Sequence, residues 1–551
     1  MAEFVNIVAL GGLDEIGLNS TVFETENDMV LIDAGLMFPE EDMLGVDIVI
    51  PDFSYIYENK DKLKALILTH AHEDHVGAIP YLLQNLNIPI YGTKLTLGLV
   101  KAKLKEFNIT NVKFIEIEPS RKFRIGDFEI EPIRTTHSIV DGVGFAITTD
   151  VGVIIHTGDF KIDQTPVDGK PFDMLKFSEY GSKGVKLLLS DSTNATVRGF
   201  TGSEKEIKKG FLSIFSSAKG RILVVTFASN IHRIQQVVNT AIETNRKVCI
   251  TGKSMLQNAT IARQLGYLNI PQEVLICEDE LSKFADNEVI IVTTGSQGEP
   301  MSGLSRIALG EHKNIKIKPT DTVVISAKAI PGNERAILKI INTLSRKGAR
   351  VFYEGNSNVH VSGHASQEEL KLMINMVRPQ YFMPIHGEYM MRKQHSTIAE
   401  ELGIPPRNIF TIDNGDVLTL TKNDAKVTDK IRTGRVFVDG KGVGDIEDVV
   451  IRDRIKLSTD GFVVVIVTVS NTTGELLSDP EIITKGLLYE EKSQKLLHEA
   501  TMMVKNLINQ SGVDLKTDAY EIKKKIRKAM NKFLHKKLMR SPMVLPIIME
   551  I

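Results

Sequence analysis

The stretch LILTHAHEDH, residues 66–75, sets His70, His72 and His75 beside Glu73 and Asp74 at the end of an apolar run. The chain has only 13 histidines, so three of them within six positions need a cause. Neutral imidazole and carboxylate are ligands for zinc, manganese and similar ions. Like groups crowded together are costly unless a cation binds them. The H-x-H-x-D-H spacing is not the helical zincin pattern, because Val76 stands where HExxH needs a histidine. It reads as a turn after a strand, the place where α/β folds build their sites. Further donors follow: His137 in IRTTHSI, Asp159 in IIHTGDF and His386 in FMPIHGEY. With His70, His72, Asp74 and His75 they make seven N/O donors, too many for one tetrahedral ion and suited to two, with Asp159 the natural bridge.

Two other loops have the makings of an anion site. TFASNIH (226–232) and HVSGH (360–364) are small and polar, and their backbone N–H groups and hydroxyls suit a phosphate. GSQGEP (295–300) lacks the Lys-Ser/Thr of a P-loop and reads as a tight turn near a domain cleft, not an ATP site.

The elements that must position these residues change character along the chain. At 551 residues, about two to four domains are expected. The first two hundred residues alternate short β-branched strands with turns and occasional helices, a layered α/β pattern. From 204 to 355, helices and strands alternate regularly, as in a doubly wound parallel sheet. Residues 356–425 read as a short helix, the strand-like YFMPIHG and DVLTLTK, and 426–446 as a linker rich in Gly and Asp. The remainder reads as a small α+β domain, with a strand at 461–470 and helices from Tyr489 to Gln510 and over YEIKKKIRKAMNKFLHKKLMR. In that last helix, Ile522, Ile526, Met530, Phe533, Leu534 and Leu538 fall on one stripe. Lys523 to Arg540 contains nine Lys/Arg and no Asp or Glu, so the basic residues are expected to face outward, either as a merely solvated face or as a surface that adds affinity for a polyanion.

Composition excludes several classes. Hydrophobic residues at 42% and charged residues at 25% describe a globular chain. A net charge of −2 advertises no polyanion partner, so a nucleic-acid surface must come from local segregation of charge. The N-terminus has no basic region or cleavage site, and no apolar run is long enough to span a bilayer. Cys249 and Cys277 form no CxxC pair and read as packing residues of a reducing compartment, the cytoplasm.

HAHEDH, TTHS, HTGDF, SDST, SGHAS and PIHGEY resemble, in this order, the motifs of the metallo-β-lactamase superfamily, and more narrowly those of the β-CASP nucleases. From ALGGLDEIGLNS to SPMVLPIIMEI the chain is similar to the bacterial ribonucleases J; Ala71 stands where many of them have Gly. The resemblance implies an αββα sandwich with an inserted β-CASP α/β domain and a small C-terminal α+β domain. The implied boundaries are 1–203 and 356–425 for the split metal domain, 204–355 for the insertion, 426–446 for the linker and 447–551 for the last domain. It implies one metal on His70, His72 and His137, a second on Asp74, His75 and His386, Asp159 between them, and Asp33 in support. Zinc is the expected ion, with manganese the alternative. It implies that Asp74 orients the attacking water and that His364, oriented by Asp191, protonates the leaving oxygen. Substrate contacts are implied at Ser229, Asn230 and Ile231, and at His360, Val361, Ser362, Gly363 and His364. The implied activity is two-metal hydrolysis of RNA, 5′→3′ from a 5′-monophosphate end as well as internally, in RNA maturation and mRNA decay. The implied partners are single-stranded RNA, a second copy in a homodimer or homotetramer, and other RNA-degradation proteins.

Two competing readings make different demands. A thioesterase or lactonase of the same superfamily shares HxHxDH but has no need of the insertion, SGHAS or the basic tail. A silent RNA-binding subunit predicts broken ligand motifs, and none is broken.

Overall fold

The computed structural model describes every residue except 1, 2, 41, 298, 300, 331, 332, 441, 446, 447, 474, 488–493 and 511–518. The chain divides into two compact units, Met1–Phe38 with Val49–Val436, and Pro39–Ile48 with Phe437–Ile551.

The first unit contains a two-sheet sandwich. One sheet has eight strands, with Phe4–Gly11, Ser20–Glu24 and Met29–Ile32 antiparallel, and Leu63–Ile67 and Ile90–Gly92 continuing in parallel. The other has six strands, and in it Gly152–His156, Val185–Asp191 and Pro379–Ile385 are parallel neighbours. Successive strand residues point to opposite faces. Phe145, Ile147, Ile154, Leu187 and Leu189 therefore enter the core shared with Ile7, Phe23, Ile32 and Ile67. Ala146, Ile155 and Leu188 face outward, onto Phe177, Leu370, Met373 and Ile398 of the covering helices. This is the αββα arrangement expected from the sequence.

The insertion is a six-stranded sheet whose strands, from Ile222–Val225 to Arg350–Phe352, all run parallel. Ile222 and Val224 pack on one helix layer, Leu223 and Val225 on the other, so the sheet is covered on both faces. The first of these cores also takes in Ala71, Leu95, Leu99, Ile139 and Val140 of the metal domain.

In the second unit, Phe462–Val469 lies between Glu481–Lys485 and Met543–Glu550. Val463, Val465, Val467 and Val469 alternate inward onto Ala500, Val504, Ile522, Ile526, Met530 and Leu534 of the helices Gln494–Gln510 and Ala519–Leu538. Residues 489–493 of the expected helix lie outside the described residues.

Three expectations need correction. The stretch 426–446 carries strands at Ala425–Lys430 and Arg435–Asp439. The first is an edge strand whose side chains after Ala425 are exposed, so backbone pairing with Asp416–Thr421 fixes it without an apolar pattern. A second helix, Tyr389–Glu401, joins Gln367–Val377 in the 356–425 stretch. It buries Arg392, His395 and Ser396, which blur the helical stripe that would announce it. Cys249 is buried but Cys277 is exposed, because the latter lies just past the short edge strand Leu275–Ile276.

A buried chain of charges joins the insertion to the metal domain. Lys161, Glu204 and Arg233 are each at most 1% exposed. Glu204 lies 3.8 Å from Lys161 and 2.8 Å from Arg233. Arg233 donates to the carbonyls of Ser326, at 3.0 Å, and Val359, at 3.1 Å. Lys161 donates its backbone N–H to Thr136, the residue before His137, at 2.8 Å. Removing one partner of such a pair strands the other charge. Arg233→Met is therefore expected to cost on the order of 3–5 kcal/mol in denaturant unfolding followed by circular dichroism. The double variant with Glu204→Gln should recover part of that loss; no recovery would show that Glu204 is not the stranded charge.

Candidate metal centre

Five of the seven donors follow strand ends, while Asp74 and His75 lie in the short helix Glu73–Val76, where the sequence read as a turn. His70 and His72 follow Leu63–Ile67, His137 follows Phe128–Arg134, Asp159 follows Gly152–His156 and His386 follows Pro379–Ile385. Asp33 and His386 both have left-handed backbones, φ 61° and 51°. Residues other than glycine hold such conformations only where their surroundings over-determine them.

The ring orientations follow from the outer hydrogen bonds. Asp33 accepts from the backbone N–H of Thr69 at 2.8 Å and from its hydroxyl at 2.7 Å. Its Oδ2 also lies 2.7 Å from His75 Nδ1. A carboxylate only accepts, so His75 carries a proton on Nδ1 and turns Nε2 inward. Thr69 spends its one hydroxyl proton on Asp33, so its oxygen accepts from His70 Nδ1 at 3.0 Å. His137 Nδ1 donates to the Gly363 carbonyl at 2.7 Å. Position 363 must be glycine, since a Cβ there would stand 2.6 Å from His137 Cε1. His72 alone of these rings points Nδ1 inward, 3.1 Å from Nε2 of both His70 and His137.

Three donor groups result among the described residues, and Asp159 belongs to all of them. The first is His70, His72, His137 and Asp159; the second is Asp74, His75, Asp159 and His386; the third is Asp159, Asp191, His364 and His386; in each, the donor atoms lie within 4.8 Å of one another. Burial above all pushes His72 and His137 down to about 3, and His70 also falls well below its ordinary value. These rings are neutral and offer lone pairs. In the second group, burial opposes protonation of His386, but the charge of Asp159 lifts it to about 9. Asp159, which burial alone would raise, is held well below the usual carboxylate range by His75 and His386. The carboxylates thus draw positive charge onto this side, a role that a divalent cation fills when bound. The donor set fits two such ions.

Asp191 and His364 form a third element. His364 Nδ1 lies 2.8 Å from Asp191 Oδ2 and 4.0 Å from Asp159 Oδ2. Burial works against its protonation, but Asp191 outweighs it, and the pKa is raised.

The two candidate anion loops both meet Arg233. Asn230 caps the helix Ile231–Glu243, accepting from the Arg233 backbone N–H at 3.0 Å, and the Arg233 guanidinium donates to the Val359 carbonyl beside the 360–364 segment. Ser229 is half-buried. The Ile231 side chain is fully buried in the insertion core, which leaves only its backbone for a ligand and corrects any expectation of a side-chain contact. Ser362 Oγ accepts from Asn194 Nδ2 at 2.8 Å and from the His364 N–H at 3.2 Å, keeping its own proton free. Val361 packs on the insertion core, and His360 Nδ1 is buried with no hydrogen-bond partner among the described residues. Of GSQGEP, residues 298 and 300 lie outside the described residues. Gln297 there braces the loop at 328–330, with bonds of 2.8 and 2.7 Å to the Lys328 carbonyl and the Ile330 N–H.

Sequence reasoning missed Thr69, Asn194, Arg233 and Asn19, whose Nδ2 donates to the Asp74 carbonyl at 3.1 Å. None sits in a pattern of its own; adjacency to a ligand, as for Thr69, is the only signal.

Family models match in order along the chain. The metallo-β-lactamase superfamily covers 14–188, the ribonuclease J β-CASP domain 219–344, the Zn-dependent metallo-hydrolase RNA specificity domain 349–409 and the ribonuclease J C-terminal domain 449–551. Ribonuclease J2 of Bacillus subtilis is 43% identical over 550 residues, spanning 100% of this chain and 99% of its own length. The chain belongs to the ribonuclease J family. Ribonuclease J 1 of Streptococcus pyogenes is 42% identical over 99% of this chain and 97% of its own length. Ribonuclease J of Helicobacter pylori is 42% identical over 98% of this chain and 79% of its own. A solved structure of a protein of unknown function from Enterococcus faecalis V583 has a TM-score of 0.56 at 16% identity, covering 76% of this chain and 100% of its own, and speaks to the fold alone. Among the described residues no helix is long and apolar enough to cross a membrane.

Within this family site, Asp33 orients His75 directly and His70 through Thr69. Asp33→Asn is expected to weaken metal affinity by about 10–100-fold, measured against a competing chelator, with the circular dichroism unchanged. Undiminished affinity would mean that the two rings need no such support.

Proposed function

We propose that the chain is a metal-dependent ribonuclease that hydrolyses RNA phosphodiesters with two ions, 5′→3′ from a 5′-monophosphate end and also internally, in RNA maturation and mRNA decay. The observation that carries this reading is the pair of donor groups sharing Asp159, with His364 and Asp191 beside them. His70, His72, His137 and Asp159 would hold one ion, and Asp74, His75, Asp159 and His386 the other, with zinc the first choice and manganese the alternative. When bound, such ions polarise phosphoryl oxygens and lower the pKa of water.

The chain's own groups do the rest. Asp74, whose carboxylate is 29% exposed, orients the attacking water and takes its proton. The water oxygen bonds to phosphorus as the bond to the 3′-oxygen breaks. His364, held through Nδ1 by Asp191, gives the departing 3′-oxygen a proton from Nε2. Ser229, Asn230, the Ile231 backbone and residues 360–364 receive the 5′-terminal phosphate, supported by the α-helix N-terminus at 231 and the free proton of Ser362. The split metal domain, 1–203 with 356–425, the insertion 204–355 and the C-terminal domain 447–551 form the division we propose. Single-stranded RNA, a homodimer or homotetramer, other RNA-degradation proteins and the cytoplasm complete the reading.

Asp159→Ala is expected to lower metal content below two ions per chain and to abolish turnover of RNA. Full activity with metal retained sinks the two-ion assignment. His364→Ala should slow cleavage by about 10²–10⁴-fold at unchanged metal content. A substrate with a much better leaving group should escape most of that loss; if it suffers equally, His364 is not the acid.

A further inference from the structure

We propose that the exposed face of the helix Ala519–Leu538 is an auxiliary site for the phosphates of single-stranded RNA, formed by Lys525, Lys528, Lys532 and Lys536. The choice of polyanion rests on the ribonuclease reading above. The four lysines are spaced three, four and four residues apart, so they form one row along the helix. The opposite face is fully committed: Ile522, Ile526, Met530 and Leu534 are buried in the core of their own domain. All four lysines are exposed. Their neighbours Lys524 and Lys537 are engaged by Glu521 at 3.8 Å and Glu499 at 2.7 Å. The row itself has no ion pair among the described residues, and no acidic residue occurs from 523 to 540.

At the rise of an α-helix, the lysines recur every ~4.5–6 Å. That is a step of the order of one nucleotide in an extended single strand, so successive ammonium groups can meet successive phosphates. In a chain of net charge −2, this attraction belongs to the row and not to the molecule as a whole. A lipid surface fits less well, because an interfacial helix needs an apolar face to insert and the apolar face here is already covered.

The test uses the full chain carrying Lys525→Gln, Lys528→Gln, Lys532→Gln and Lys536→Gln together. Its affinity for a nuclease-resistant single-stranded RNA is measured over a range of salt, with oligomeric state and thermal midpoint recorded alongside. The slope of log affinity against log salt should fall by about 0.7 per lost contact, about 3 for the row. The same four positions changed to Arg should keep the original slope. An unaltered slope in the Gln variant overturns the proposal, whether or not its oligomeric state changes. Binding of anionic phospholipid vesicles in place of RNA by the unmodified chain also overturns it. The underlying reading fails separately: an unmodified, metal-loaded chain that cuts no RNA sinks the ribonuclease assignment whatever the slopes.

Discussion

Asp159 has five histidine rings within 4.0 Å of its carboxylate, and it is almost completely buried. Taking so many titratable groups out of water costs several kcal/mol per charge, and a buried charge stands only where partners compensate it. The geometry around Asp159 answers that constraint. The outer nitrogens of His70, His75 and His137 are tied to Thr69, Asp33 and Gly363, which turns their inner nitrogens toward the carboxylate. Cations complete the balance. Much of the surrounding backbone serves this end, from the left-handed Asp33 and His386 to the glycine pressed against His137.

The chain order ties the insertion to the site. Asp191 precedes the insertion and His364 follows it, so the pair at 2.8 Å closes only when both ends of the inserted sheet are in place. His386 comes later still, just after a strand that pairs in parallel with Val185–Asp191 across the whole insertion. Arg233 and Glu204 lock the return path. Their buried charges hold Val359, just before the 360–364 loop, and reach Lys161, two residues beyond Asp159.

The C-terminal unit follows a different economy. Its valine strand alternates strictly, and its helices spend every apolar residue of one stripe on that strand. What remains outside on Ala519–Leu538 beyond Tyr520 is mostly charge, segregated by helical geometry within a nearly neutral chain.

Residue types, their spacing and the period of the apolar pattern are local properties, and the sequence alone determined what depends on them. Among these are the types and spacing of the seven donors, the layered α/β and doubly wound rhythms, and the buried stripe of the last helix. Tertiary structure decided what depends on contacts between distant residues. The lone pair that His137 turns inward is set by a carbonyl 226 positions away, and the ring of His364 by a carboxylate 173 positions away. Ile231 lies in a loop whose composition suits a phosphate, yet its side chain belongs to the core. The strand Ala425–Lys430 and the helix Tyr389–Glu401 had no legible apolar pattern, because an edge strand is held by backbone pairing and this helix buries Arg392 and His395. Side-chain direction and hydrogen-bond partnership exist only once the chain has closed on itself, and no local pattern records them.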